Sequence, residues 1–170
     1  MARSLNFIEA AGLAHAANHP EVGGFTAEGY GDKPGQTPQS ARGKYLVGRP
    51  EFGDNNVSTP MQPRHILEYA TKNEGELSKP DVYLGGWNPH DGGTASLDLP
   101  KGYDRTTQGG AEAAYVADTT GERAVGEMNE AGKYVGDSTP SGLADRLNPE
   151  GGTAALHQSW RLLRASKGRR

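Results

Sequence analysis

The amino-acid sequence predicts an α+β fold: a small antiparallel sheet of two hairpins packed on a helix, with long Gly/Pro-rich extended segments and helical arms at both termini. Three observations predict it. Strand-like composition is confined to short runs around dense turn chemistry, above all 81–87 and 94–99 on either side of Asn88-Pro89-His90-Asp91-Gly92-Gly93. Helical periodicity appears in separate stretches near 4–18, 63–73, 141–147 and 153–166. Elsewhere Gly and Pro recur too often for any long element to persist.

The first helix covers 4–18, where Leu5, Ile8 and Gly12 share a face and Ala10, Ala11, Ala14, Ala16 and Ala17 favour helix. Asn18-His19-Pro20 ends it, because the residue before proline avoids the α region. Its narrow, Ala-rich face suits close docking. Residues 20–60 read as loop, with Lys44–Val47 as a short strand. A second helix spans 63–73, with Thr59 or Gln62 as its cap and a proline early in its first turn. Ile66, Leu67 and Ala70 mark its apolar face. The hairpin 81–87/94–99 follows, and a second is expected at Ala114–Asp118 and Glu122–Val125 through Thr119-Thr120-Gly121, with a short helix near 105–113. Lys133–Val135 reads as a third short strand, Ser141–Leu147 as a brief helix and Thr153–Ser166 as a longer one. Three segments result: 1–59, an N-terminal helix and extended arm; 60–137, the α+β core; and 138–170, a C-terminal helical arm with a basic tail. The expected core residues are Ile66, Leu67, Tyr83, Trp87, Leu97 and Leu99, with Tyr83 and Trp87 on one face of their strand.

Composition sets limits on this picture. Leu, Ile, Val and Phe together number 25 of 170 residues, about 15%, under the roughly 20% associated with disorder. The formal charge of only −3 lacks the second half of that signature. Ordering a residue costs about 1–2 kcal/mol of backbone entropy, against about 25 cal/mol returned per Å² of apolar burial. The central segment balances these terms; the Gly/Pro-rich remainder needs a partner surface. With no cysteine, the chain has neither a disulfide framework nor thiolate metal sites. The start Met-Ala-Arg-Ser-Leu-Asn-Phe has no apolar run of a signal peptide, and no stretch has the length of a membrane helix. A soluble chain that does not contact membrane is expected.

No chemistry-bearing motif stands out. His15 and His19 share a helical face without the further ligands zinc requires. His90-Asp91 lies in a turn whose geometry by itself favours Asp before Gly. Phosphate-loop, dinucleotide, nucleophile-elbow and calcium-loop patterns are missing. The expectation is no catalytic residue, no metal and no cofactor. The remaining candidates lie at the C-terminus. Leu156, Trp160 and Leu163 form one apolar stripe, and Arg161 and Arg164 begin a run of five cations without an acid over 151–170. These residues are the expected partner-binding set, with nucleic acid a possible second contact through the basic tail.

The Tyr83-Leu-Gly-Gly-Trp87 strand, the Leu97-Asp-Leu99 return strand and the Asp118-Thr-Thr-Gly121 turn resemble those of small proteins and modules of tailed bacteriophages. Those proteins have a Tyr-x-Gly-x-Trp strand, a Leu-Asp strand and a closing Thr-Gly hairpin, and the likeness covers about residues 25–137. The resemblance implies a phage setting; the shortage of large apolar residues and the lack of catalytic motifs then give the expectation of a non-enzymatic minor capsid or decoration protein, in the host cytoplasm before assembly and in the virion after it. Its implied partners are other virion or assembly proteins, a capsid protein first. Rival readings are a small phage-encoded enzyme or effector and a nucleic-acid-binding accessory.

Overall fold

The structure, a computed structural model, describes residues 1–148. Its elements begin with β1 (Arg3–Ser4), α1 (Phe7–Asn18), β2 (Gly24–Ala27), β3 (Tyr30–Gly31), β4 (Lys44–Val47) and β5 (Asp54–Val57). There follow α2 (Pro63–Lys72), α3 (Glu74–Leu77), β6 (Leu84–Trp87), β7 (Ala95–Asp98) and β8 (Lys101–Asp104). The last are α4 (Thr107–Thr120), β9 (Val125–Met128), β10 (Tyr134–Ser138) and α5 (Pro140–Leu147). The fold is α+β, with antiparallel pairing in its sheets. No helix among the described residues is long and apolar enough to cross a membrane.

The chain divides into two compact units. The first comprises Met1–Ala41 and Arg49–Lys101; the described part of the second is Arg42–Gly48 and 102–148. The boundaries expected at 59/60 and 137/138 do not coincide with this division. The reason is β4: its partner β9 lies about 80 residues further along the chain, a pairing that local composition does not signal.

In the first unit a four-stranded sheet of order β2-β6-β7-β5 packs against α1 and α2. Segment 20–60, expected to be loop apart from Lys44–Val47, contributes both edge strands, β2 and β5. The β6–β7 hairpin has Gly85 opposite Asp98, Gly86 opposite Leu97 and Trp87 opposite Ser96. Leu13, Ile66, Leu84, Leu97 and Leu99 lie in the core. Asn6 caps α1 reciprocally: its Oδ1 accepts from Glu9 N–H at 2.9 Å, and its own N–H donates to Glu9 Oε2 at 2.8 Å. Gln62, not Thr59, precedes α2, and Pro63 takes the first position, where a missing N–H costs nothing.

In the second unit the sheet order is β10-β9-β4-β8, and α4 and α5 pack together with it. Tyr45, Val47 and Val125 from the sheet meet Ala113, Ala114 and Ala117 of α4 and Leu143 and Ala144 of α5. The hairpin expected over Ala114–Val125 is here a helix. Thr106 Oγ1 starts it by accepting from Gly109 N–H at 3.0 Å. The Thr119 and Thr120 hydroxyls donate back to the Tyr115 and Val116 carbonyls at 2.9 and 2.7 Å, as threonine does at a helix end. Gly121, at φ 78°, is the left-handed residue that stops the helix. The second hairpin lies one element later, as β9–β10, with a bulge at Val135.

Candidate functional site

Trp87 ends β6, the central strand that pairs with β2 on one side and β7 on the other. Side chains alternate along a strand, so Leu84 and Gly86 share one face and Gly85 and Trp87 the other. The residues directly opposite Trp87 are Gly24 and Ser96. Neither is large enough to cover an indole. Trp87, expected in the core, is therefore 55% exposed, and this corrects the reading of the sequence. Ile66, Tyr83, Leu97 and Leu99 are buried and Leu67 is half-buried. Leu156, Trp160, Leu163, Arg161 and Arg164 lie outside the described residues.

The indole is seated rather than loose. A Cβ on Gly24 would stand 3.1 Å from Trp87 Cε3, and one on Gly23 would stand 3.5 Å from Trp87 Cζ3. Two glycines thus let one side of the ring lie on bare backbone while the other faces outward. Gly23 also adopts φ 73°, a conformation side chains disfavour. Val22, the next residue along, is 57% exposed. Glu21 precedes it, and Asp91 lies in the turn that follows Trp87.

Behind this surface a hydrogen-bond network fixes the backbone. Asn88 is 5% exposed; its N–H donates to the Gly23 carbonyl at 2.8 Å, and its Nδ2 donates to Asn18 Oδ1 at 3.4 Å. Asn18, the last residue of α1, also grips Met61 twice: Oδ1 accepts from Met61 N–H at 2.8 Å and Nδ2 donates to the Met61 carbonyl at 2.8 Å. His90 adopts φ 56°, held there by two bonds. Its N–H donates to Asn88 Oδ1 at 3.2 Å, and its Nε2 lies 3.0 Å from the Ala17 carbonyl. A carbonyl only accepts, so the ring nitrogen donates, and an open carbonyl at the end of α1 is satisfied. Asp91 Oδ1 accepts from Gly93 N–H at 2.9 Å within the turn. His90 and Asp91 thus build the turn that presents Trp87. The rings of His15 and His19 lie edge to face at 6.1 Å, and His19 Nδ1 accepts from Glu21 N–H at 3.2 Å. Among the described residues no three metal-ligating side chains converge.

Sequence reasoning missed Val22, Gly23, Gly24 and Asn18. The available signal was Gly23-Gly24 itself: in a strand, glycine marks a close approach of another group, and here that group is the indole.

A concavity of about 870 Å³ in this unit lies between β5 and α2. At its floor Tyr69 donates its hydroxyl to the Phe52 carbonyl at 2.6 Å, and burial raises the phenol well above its ordinary value. Behind Phe52, the Arg49 guanidinium stacks 4.4 Å from the ring centroid and donates to the Leu99 carbonyl and Glu76 at 2.9 and 3.0 Å. In the second unit, Glu127 pairs with both Arg105 and, at 3.0 Å, Arg146. Comparison with protein-family models, with curated proteins and with solved structures finds no match.

Proposed function

We propose that the chain is a non-enzymatic structural or accessory component of a tailed-phage particle. It docks on a neighbouring particle protein, a capsid protein first, through the Trp87–Val22 surface of its first unit. The observation that carries this is Trp87: a tryptophan more than half exposed, seated on glycine backbone and backed by a buried asparagine. Tryptophan is enriched among the residues that dominate association energies, and a pre-organised anchor loses little entropy on binding. The polar groups nearest it support the same reading. Asn18, Asn88, His90 and Asp91 direct their hydrogen bonds to backbone and to one another.

The reading requires many copies of the chain in purified particles of the phage that encodes it. Co-sedimentation with particles through a density gradient, at a constant ratio to the major capsid protein, is the expected result. A chain made in the infected cell but missing from the particle peak contradicts it. The cations Arg161 and Arg164 add a second contact in this proposal, with nucleic acid. Its signature is affinity falling with salt at a log–log slope of about −0.9 per phosphate met on duplex DNA.

A further inference from the structure

The cleft between β5 and α2 is independent of the Trp87 surface, and its chemistry is of another kind. One wall is the edge strand β5 with its flanks, and the other is α2. The floor is apolar: Phe52, Val57, Tyr69 and Leu97. Around it stand side chains whose hydrogen-bonding capacity is unused among the described residues, Asn55, Asn56, Ser58, Glu68 and Lys72. All five are exposed and together they supply both donors and acceptors: the amides offer both, the hydroxyl both, the carboxylate only acceptance, the ammonium only donation.

This inventory narrows the ligand. A phosphate or nucleotide would meet the three carboxylates of Glu51, Asp54 and Glu68, against the one ammonium of Lys72 and the imidazole of His65. A purely apolar molecule would use none of the polar groups that ring the floor, although such groups fix orientation and specificity in ligand sites. An extended peptide adding to β5 needs free backbone groups along that strand. Yet Asn56 N–H already donates to Asp54 Oδ1 at 3.1 Å, the Asn55 carbonyl accepts from Thr94 at 2.6 Å, and a bulge interrupts the strand. A ligand dense in groups that both donate and accept, with an apolar face for the floor, satisfies every constraint. That describes a pyranose sugar, and the volume suits one or two such rings.

We propose that this cleft is a saccharide-binding site for a neutral mono- or disaccharide unit, with Asn55 and Asn56 on its hydroxyls and Phe52 and Val57 under its ring face. The test is an amide NMR titration of the ¹⁵N-labelled full chain. The probes are maltose, cellobiose, lactose and N,N′-diacetylchitobiose, with spermidine and inorganic phosphate added separately. At least one disaccharide should shift the amides of 51–58 and 65–73 saturably, and the Asn55→Ala/Asn56→Ala variant should bind it at least tenfold more weakly. Both residues are exposed, so this variant keeps its fold, checked by an unchanged thermal midpoint. No saturable shift with any of the four sugars overturns the proposal. So does binding unaffected by the double substitution, or a saturable response to spermidine or phosphate alone.

Discussion

Replacing Trp87 by alanine separates two roles of one side chain, because the structure divides its surface almost evenly. An aromatic side chain of this size brings about 150–250 Å². At 55% exposed, about 90 Å² of a 200 Å² indole is covered within the chain and about 110 Å² stays open. At about 25 cal/mol per Å², the covered part is worth roughly 2 kcal/mol of folding, an upper value because unfolded chains already bury some surface. The open part is worth about 3 kcal/mol once a partner covers it, within the roughly 2–4 kcal/mol of an interface anchor. Trp87→Ala should therefore lower unfolding free energy by no more than about 2 kcal/mol, leaving most molecules folded, while weakening association about a hundredfold. Urea denaturation of the purified chain reads the first quantity. The second is read as copies per particle when the variant competes with the wild-type chain during assembly. In a Trp160→Phe background, Trp87 emission should be red in the free chain and blue-shifted in the particle. A variant that incorporates as well as wild type, or emission unchanged on docking, refutes the reasoning.

Asn18→Ala orphans the Met61 N–H and carbonyl and frees Asn88 Nδ2; at about 1–3 kcal/mol per stranded group, urea denaturation should show a loss of at least 2 kcal/mol. Asn18→Asp, which keeps the acceptor for Met61 N–H, should recover part of it, and equal losses in the two variants would contradict the network. Burial, and then nearby Asp32, raise the Glu28 carboxyl above its ordinary value, so its ionised form costs the folded state stability. That cost is present at pH above the raised folded value and vanishes as pH falls below the unfolded one. Glu28→Gln should raise the melting temperature near pH 7, with the gain disappearing at about pH 3; a gain independent of pH would count against burial as its cause.

Much of this fold was legible because its signals are local. The Ala-rich α1, the Pro-started α2 and α5, and the Gly/Pro/Asn turn between β6 and β7 announce themselves within a few residues, but the buried face of α1 does not: Ile8, expected beside Leu5 and Gly12, is 82% exposed, and Ala10, Leu13, Ala14 and Ala17 are buried instead. What was illegible depends on distant partners. β2 is Gly-Phe-Thr-Ala and β5 is Asp-Asn-Asn-Val, neither with strong strand propensity; they are strands because β6 and β7 offer open edges. Thr119-Thr120-Gly121 serves a hairpin turn and a helix end equally well, and the Ala113, Ala114 and Ala117 face decides for helix only once β4 and α5 are there to cover it. Trp87 was misplaced for the same reason. Alternation set it on the face of Tyr83, but the identity of its cross-strand neighbours decides burial, and those neighbours are Gly24 and Ser96.

The central claim is that Trp87 meets another particle protein, and site-specific photo-crosslinking in assembled particles tests it directly. Benzoylphenylalanine placed at position 87 should give, on irradiation, one dominant adduct to a particle protein, mapped by mass spectrometry to residues lining an apolar pocket. The same group at position 79, whose lysine side chain is 58% exposed, serves as the control and should give little product. Equal yields from the two positions, or none from position 87 in particles that contain the chain, would contradict the account.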